Sequence, residues 1–146
     1  MLYDSRKYDF MKVLRPILLF IFCLLFCFPA DSQDVISTIP AALKTANASS
    51  IAKNFDKRVD ITIDENADNY SREQAEMILK SFLGKFSSRD FSIVHKGNST
   101  DGAQYIIGSL KTNTGNFRTY IYVKKSDGVN YIQEIRFEKE WLGEEQ

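Results

Sequence analysis

The chain has 146 residues, the length of one ordinary domain, and its 19 basic side chains are balanced by 19 acidic ones. A balanced chain lacks the strong positive charge by which domains recruit nucleic acid, so we expect no nucleic-acid partner. The sequence contains no internal repeat, no low-complexity segment and no linker long enough to separate domains. A single domain with its own core is therefore expected.

An N-terminal targeting segment is the first predicted element. A basic stretch precedes the apolar run 17–28, and small residues follow where signal peptidase cleaves. The run is shorter than the roughly 20 apolar residues that a membrane span needs. We therefore predict a signal peptide, residues 1–32, with translation starting at Met11. The product, residues 33–146, is expected to be periplasmic or secreted, without a membrane span; the alternative is an uncleaved anchor.

Both cysteines, Cys23 and Cys27, lie inside that apolar run. Cleavage would leave a chain without cysteine, which excludes disulfides, thiol catalysis and cysteine-ligated metal sites. His95 is the only histidine in the sequence, so a typical zinc or haem site lacks ligands. We expect no cofactor, and we expect the core alone to hold the domain together.

Two helices are predicted next. Asp34 can cap the first, in which Pro40 either introduces a kink or marks the first turn of a shorter helix. Asn47 is expected to end that helix, and Ser49 or Ser50 to cap a short second one. Both carry apolar residues at helical spacing, which predicts that one side of each packs on the core.

A strand and a polar loop follow these helices. Residues 59–64 alternate strictly between apolar and polar, which predicts a half-buried strand, and residues 65–69 are expected to form a loop. Asp64, Asn66 and Asp68 have the spacing of the first ligands in a calcium loop. The glycine and the bidentate glutamate that complete such a loop are absent. We therefore expect a solvated loop, and the three residues are only a weak candidate metal site.

The third predicted helix has the clearest start signal. Ser71 and Gln74 form a capping box, which satisfies two backbone amides at the amino end. Gly84 is expected to end the helix. Apolar residues recur at helical spacing along it and predict a stripe that lies on a sheet. The stripe consists of Ala75, Ile78, Leu79, Phe82, Leu83 and Phe86.

The remaining residues predict a four-strand antiparallel meander over residues 89–137. Evenly spaced Gly102, Gly115 and Gly128 mark three tight turns, because glycine readily adopts the positive φ that such turns need. β-Branched and aromatic runs lie between the turns. One face is predicted to carry Phe91, Ile93, His95, Tyr105, Ile107, Tyr120, Tyr122, Ile135 and Phe137, and the other Val94, Ile106, Leu110, Phe117, Ile121, Val123 and Ile132.

Both faces of this sheet are apolar, while only one predicted helix is long enough to cover a face. A slip of one residue in any turn would exchange residues between the faces. The uncovered face predicts a partner or ligand surface, and a homodimer through the sheet is one expectation. The alternative is that the first two helices and the chain ends cover it.

In the order of its predicted helices and strands, the sequence resembles the nuclear-transport-factor-2-like (cystatin-like) superfamily. It is similar, more closely, to a group of small exported Bacteroidetes proteins whose function is unassigned. The resemblance covers about residues 34–137, and its matching segments are 70–76, 95–99, 105–110 and 117–121. It implies an α+β fold in which a strongly curved antiparallel sheet wraps around a long helix to form a cone. Enzymes of the superfamily place acid–base residues in the cone, but no local motif carries those positions onto this sequence.

Candidate site residues follow from chemistry and from the predicted faces. His95 is a candidate general base if Asp60 or a tyrosine orients it, although a hydrogen-bonded structural histidine is the simpler interpretation. Tyr105, Tyr120, Tyr122 and His95 are candidates for ligand binding. We therefore predict a non-catalytic domain that binds a small apolar or amphipathic ligand in the cone, or a protein partner through its sheet. The alternative is an enzyme of the isomerase or dehydratase kind, with His95 or Asp60 as base in the cone.

Overall fold

The computed structural model describes residues 34–140, and the predicted signal peptide, Met11 and both cysteines lie outside them. Within 34–140, no helix is long and apolar enough to cross a membrane. The elements give the predicted α+β fold with a curved six-strand sheet. In chain order they are α1 (Val35–Lys44), α2 (Ala48–Ala52), β1 (Phe55–Ile63), β2 (Asn66–Ser71), α3 (Arg72–Phe86), β3 (Ser88–Asn98), β4 (Gln104–Thr112), β5 (Gly115–Ser126) and β6 (Val129–Lys139).

The six strands form one sheet in the order β2-β1-β6-β5-β4-β3. Strands β3 to β6 are the predicted meander, and each pairs antiparallel with the next. Strand β1 lies parallel to β6, the last strand in sequence, and antiparallel to β2 at the edge, so the sheet is mixed and not antiparallel throughout as predicted. Helix α3 contacts β1 and β2, α2 packs on α3, and α1 packs on β3. We call the sheet side that carries the buried core the inner face.

The two short helices differ from prediction at their junction. Asp34 caps α1 as expected, and Pro40 lies inside that helix. Helix α1 ends at Lys44, however, and Asn47 is the N-cap of α2, with its side chain accepting from the Ser50 amide at 3.0 Å. The expectations that Asn47 ends α1 and that a serine caps α2 are therefore wrong. Asn47 is a strong N-cap because its side-chain oxygen reaches the amides of the first turn.

The segment predicted as a polar loop, residues 65–69, is mostly strand β2. Ile63 pairs with Asn66, and Val59 pairs with Tyr70, so β1 and β2 form a hairpin. The turn begins at Asp64, whose φ is +52°. A polar strand is stable here because β2 is an edge strand whose first four side chains are exposed. The candidate calcium spacing thus lies on a turn and a strand, not in a ligand loop. In residues 34–140 no group of three or more acidic or histidine side chains is arranged to hold a metal ion.

Helix α3 begins as predicted and ends later. Ser71 and Gln74 make both hydrogen bonds of the capping box. Gly84 does not end the helix, which continues to Phe86 and terminates at Ser87 in the left-handed region, with φ +51°. Side chains of the apolar stripe are buried or partly buried, which confirms that this helix lies on the sheet.

Aromatic rings fill the space between α3 and the inner face. The Phe82 ring stacks on Phe137 with centroids 4.3 Å apart and meets the edge of Phe117 at 5.2 Å. Phe86 packs against both Phe82 and Phe117, at 5.0 and 4.9 Å. These contacts lie in the region where the predicted cone would hold a ligand.

A bulge in β3 overturns part of the predicted face assignment. Ile93 pairs with Gly108 and His95 with Ile107, so Val94 is an extra residue between the two pairs. As a result Phe91 and Ile93 lie on the inner side, opposite to His95, although simple alternation places all three together. Val94 is 72% exposed and does not belong to the buried face.

A second bulge has the same effect in β6. Tyr122 pairs with Glu134 and Val123 with Ile132, which leaves Gln133 unpaired in the ladder. The Gln133 side chain donates to an Asp56 carboxylate oxygen at 2.9 Å. This hydrogen bond is the main reason why the pKa of Asp56 lies below its usual value. Beyond the bulge, Ile135 and Phe137 are buried on the inner face, not grouped with the tyrosines as predicted.

Candidate functional site

Polar and aromatic side chains gather on the side of the sheet that faces away from α3. The ladder places Tyr105, Tyr120, Tyr122 and His95 on this side, so the prediction that these four share a face is confirmed. We call this surface the tyrosine face. Its members on β3 to β6 are His95, Tyr105, Ile107, Arg118, Tyr120, Tyr122, Glu134, Arg136 and Glu138.

The centre of the tyrosine face is a row of rings. Tyr105 and Tyr120 lie nearly parallel, with centroids 6.2 Å apart. The Tyr105 hydroxyl is 3.3 Å from His95 Nε2. Tyr105 reaches that position by lying over Gly97, where an added Cβ would come within 2.6 Å of its hydroxyl oxygen. Both tyrosines are only half-buried, so part of each ring remains open to solvent.

Charged side chains of both signs surround these rings. Arg136 bonds to Glu134 at 2.5 Å, and its guanidinium carbon lies 5.8 Å above the centroid of Tyr120. The hydrogen bond to Glu134 raises the pKa of Arg136. Burial, followed by the negative charge of Glu134, raises the pKa of Tyr120. Tyr120 therefore stays protonated at neutral pH, as a neutral hydrogen-bond donor and not a base.

The other tyrosine of β5 connects this face to the β3–β4 turn. Tyr122 donates to a carboxylate oxygen of Asp101 at 3.1 Å, and the Lys124 ammonium lies 3.8 Å from that same oxygen. Hydrogen bonds from Ser99, from the Ala103 amide and from Tyr122 lower the pKa of Asp101. Burial and the bond to Asp101 raise the pKa of Tyr122. The Asp101 carboxylate thereby fixes Tyr122 against a turn of the sheet.

A shallow depression of about 170 Å³ lies in the tyrosine face beside these rings. Its lining combines two guanidinium groups, one carboxylate, a phenol ring and an aliphatic side chain, which are Arg118, Arg136, Glu138, Tyr120 and Ile107. Guanidinium groups favour a carboxylate ligand, while the ring and the isoleucine favour apolar contact. This chemistry suits the binding of a side chain from another surface.

Sequence reasoning missed the charged members of the tyrosine face. Glu134, Arg136 and Glu138 alternate along β6, and Arg118 precedes Tyr120 by two residues on β5. Period-two spacing on neighbouring strands would have placed them beside the tyrosines, if the bulge at Gln133 had been known.

The two catalytic candidates are not brought together. His95 lies on β3 and Asp60 on β1, with three strands between them. At a strand spacing of about 4.8 Å, four steps separate the two by roughly 19 Å. Asp60 accepts a hydrogen bond from the Asn69 side chain at 2.6 Å and pairs with Glu134, on the tyrosine-face side of the sheet. Both side chains lie on the tyrosine-face side of the sheet, whereas the alternative places the base inside the cone.

Comparisons with known proteins identify relatives of the same fold. A family model described as Domain of unknown function (DUF4783) matches residues 36–138. A crystal structure of a DUF4783 family protein from Bacteroides uniformis is 26% identical, with a TM-score of 0.70 over 74% of this chain and 99% of that one. A crystal structure of another DUF4783 family protein, from Bacteroides fragilis, is 25% identical, with a TM-score of 0.66 over 70% of this chain and 95% of that one.

A more distant solved structure is similar to this chain in its fold alone. An NTF2-like protein of unknown function from Cytophaga hutchinsonii is 10% identical, with a TM-score of 0.55 over 79% of this chain and 95% of that one. No curated protein matches the chain.

Proposed function

The chain belongs to the family described as Domain of unknown function (DUF4783), and on that premise we propose that it is an exported, non-catalytic domain whose tyrosine face binds a second copy of the chain. The observation that carries the proposal is the contrast between two surfaces. Phenylalanine rings fill the inner face, while the tyrosine face presents half-buried rings to solvent. An aromatic surface of this size favours an interaction.

The residue types of the tyrosine face support binding to protein. Tyrosine and arginine are enriched at interfaces because each offers a large contact area together with hydrogen-bonding groups. Tyr105 and Tyr120 stack, and Arg136 lies over Tyr120, so these side chains are already ordered. Order in the free protein reduces the entropy that association would cost.

The balance of charge on this face favours a second copy as the partner. Arg118 and Arg136 stand beside Glu134 and Glu138, so the face presents both signs in similar number. In a two-fold arrangement each arginine can meet a glutamate of the other copy, whereas a face of one sign would require an oppositely charged partner.

The size of the face also fits a dimer. Four strands at about 4.8 Å spacing and nine residues at about 3.3 Å rise give roughly 19 Å by 30 Å. Their product is about 570 Å² in projection, which is of the same order as the roughly 800 Å² per partner of a standard interface.

Export is supported by the sequence of residues 1–32, with its basic stretch, short apolar run and small residues at the cleavage position. A small ligand in the cone has less support than a protein partner. Phe82, Phe86, Phe117 and Phe137 occupy that space, so an apolar ligand would have to displace packed rings.

The proposal is tested by sedimentation equilibrium at micromolar concentration. The wild-type protein should have the mass of a dimer, and Tyr120→Glu should have that of a monomer, because it places two carboxylates near the two-fold axis in an aromatic contact. Met77→Glu is the matched control, since Met77 is 71% exposed on α3 and away from the tyrosine face. Far-ultraviolet circular dichroism verifies that both variants are folded. A monomeric wild-type protein, or a Tyr120→Glu dimer, would refute self-association through this face.

A further inference from the structure

A second depression, of about 320 Å³, lies at the carboxyl-terminal half of α3, next to the β1–β2 hairpin. Ile63, Ile78, Phe82 and Phe86 form its apolar floor. Three of these, all but Phe82, are only partly buried by the core on which they pack. The depression is thus an extension of the hydrophobic core that residues 34–140 leave open.

The rim of this depression carries one charge of each sign, Lys85 on α3 and Asp64 on the hairpin. Lys85 lines it, with its ammonium 5.2 Å from the centroid of the Phe86 ring. Ser81 lines the same side from the preceding turn of α3. An apolar side chain suits the floor, and a carboxylate suits the side of the rim that carries Lys85, away from Asp64.

Strand β6 ends next to this rim. The Lys139 amide donates to an Asp64 carboxylate oxygen at 2.9 Å, and Asp64 itself lines the depression. The Glu140 amide donates to the Asn116 carbonyl at 2.9 Å, so the strand is held up to its last described residue. Residue 141 is two positions beyond Lys139, a reach of about 7 Å at most.

Residues 141–146 contain apolar and acidic side chains, which suit the floor of the depression and Lys85. Trp141 and Leu142 are large and apolar, and Glu144 and Glu145 follow them. These residues lie outside the described part of the chain. Phe137 is the last buried residue of β6, on the inner side, and position 141 has the same parity in the sequence.

We propose that the C-terminal segment 141–146 docks intramolecularly in this depression. Trp141 covers the apolar floor formed by Ile78 and Phe86, and the carboxylates of Glu144 and Glu145 approach Lys85. The depression is then a site for the chain's own end, independent of the tyrosine face and of self-association through it.

Fluorescence tests this directly, because Trp141 is the only tryptophan of the sequence. In the full-length protein its emission should be blue-shifted, and its quenching by acrylamide reduced, relative to N-acetyltryptophanamide. Ser81→Glu places a carboxylate in the depression, where it occupies space and repels Glu144 and Glu145, and it should shift the emission to the red and restore quenching. Met77→Glu is the matched control on the same helix, outside the depression, and should leave both readings unchanged.

A second readout uses the anionic apolar dye 8-anilinonaphthalene-1-sulfonate. The full-length double variant Trp141→Ser/Leu142→Ser should bind this dye through the vacated floor near Lys85, whereas the wild-type protein should not. Emission of wild-type Trp141 like that of the free amide would overturn the proposal. So would a blue shift that disappears on dilution, because it would mean that the segment docks in another copy. Equal dye binding by the wild-type protein and the double variant would overturn it as well.

Discussion

The two faces of the sheet are built from the same strands, but one is buried in the core and the other is partly exposed to solvent. On β5, Phe117, Ile121 and Val123 are buried on the inner face. Tyr120 and Tyr122 alternate with them and remain half-exposed among charges. Apart from Thr119, the inner residues of β5 are aliphatic or phenylalanine, and the outer aromatic residues are tyrosines, which carry a hydroxyl that can form hydrogen bonds. The difference separates stability, which resides on the inner face, from interaction, which we assign to the outer face.

The largest expected effect is a loss of unfolding free energy caused by a substitution in the core beneath the inner face. Phe82→Ala removes a ring that is 3% exposed and stacked on Phe137, and should cost about 3–5 kcal/mol of unfolding free energy. Against a total of about 5–15 kcal/mol, such a loss makes the domain marginal. Chemical denaturation measures it. Met77→Ala on the same helix is the control and should change stability by less than about 0.5 kcal/mol. Similar losses for the two variants would contradict the packing of α3 on the sheet.

A pair of glycine substitutions sharpens the comparison between a packed and an open position. An added Cβ at Gly108 would lie 2.3 Å from a Phe91 ring carbon and 2.7 Å from the Ser92 carbonyl oxygen. Gly108→Ala should therefore destabilise the fold by about 1–3 kcal/mol. Gly84 has no atom within 4 Å of such a Cβ and lies inside α3. Gly84→Ala should stabilise the fold by about 0.5–1 kcal/mol.

Melting temperatures of the two glycine variants should therefore move in opposite directions. A higher melting temperature for both variants would mean that the Phe91 ring can move away from Gly108 without cost, and a lower one for both would contradict the open position of Gly84.

The smallest expected effect concerns the rim of the tyrosine face. His95 is exposed, and its ring Nε2 forms a hydrogen bond with the Tyr105 hydroxyl. His95→Gln retains a group that can make this bond, so stability should change by less than about 0.5 kcal/mol. The dimer mass should also be unchanged, unlike that of Tyr120→Glu at the centre. Loss of a turnover activity in a stable His95→Gln protein would instead support the isomerase or dehydratase alternative.

Prediction from sequence succeeded where the local signal was strong. The three turn glycines indicated the positions of the turns in the meander, and all three have positive φ in the structure. The capping box at Ser71 fixed the start of α3. The shared face of Tyr105, Tyr120 and Tyr122 followed because β4 and β5 pair without a shift. In each case the residues that set the geometry are adjacent in sequence.

Other features depend on contacts that the local sequence does not contain. Val94 and Gln133 are bulge residues without a glycine signal, and each reverses the alternation for the rest of its strand. Strand β2 is polar because it lies at the sheet edge, which its sequence alone does not indicate. Gly84 continues a helix because tertiary packing of the stripe outweighs its low propensity. The charged part of the tyrosine face became visible only when the register was known.

The parallel pairing of β1 with β6 places the first and last long strands of the domain side by side. Until β6 has been synthesised, β1 lacks its parallel partner strand, and Phe82 of α3 lacks the Phe137 ring on which it stacks. Closing this contact requires almost the whole chain to be looped out, which makes it one of the slower steps of folding. A chain that crosses a membrane amino end first would therefore complete this sheet only after its final strand had emerged.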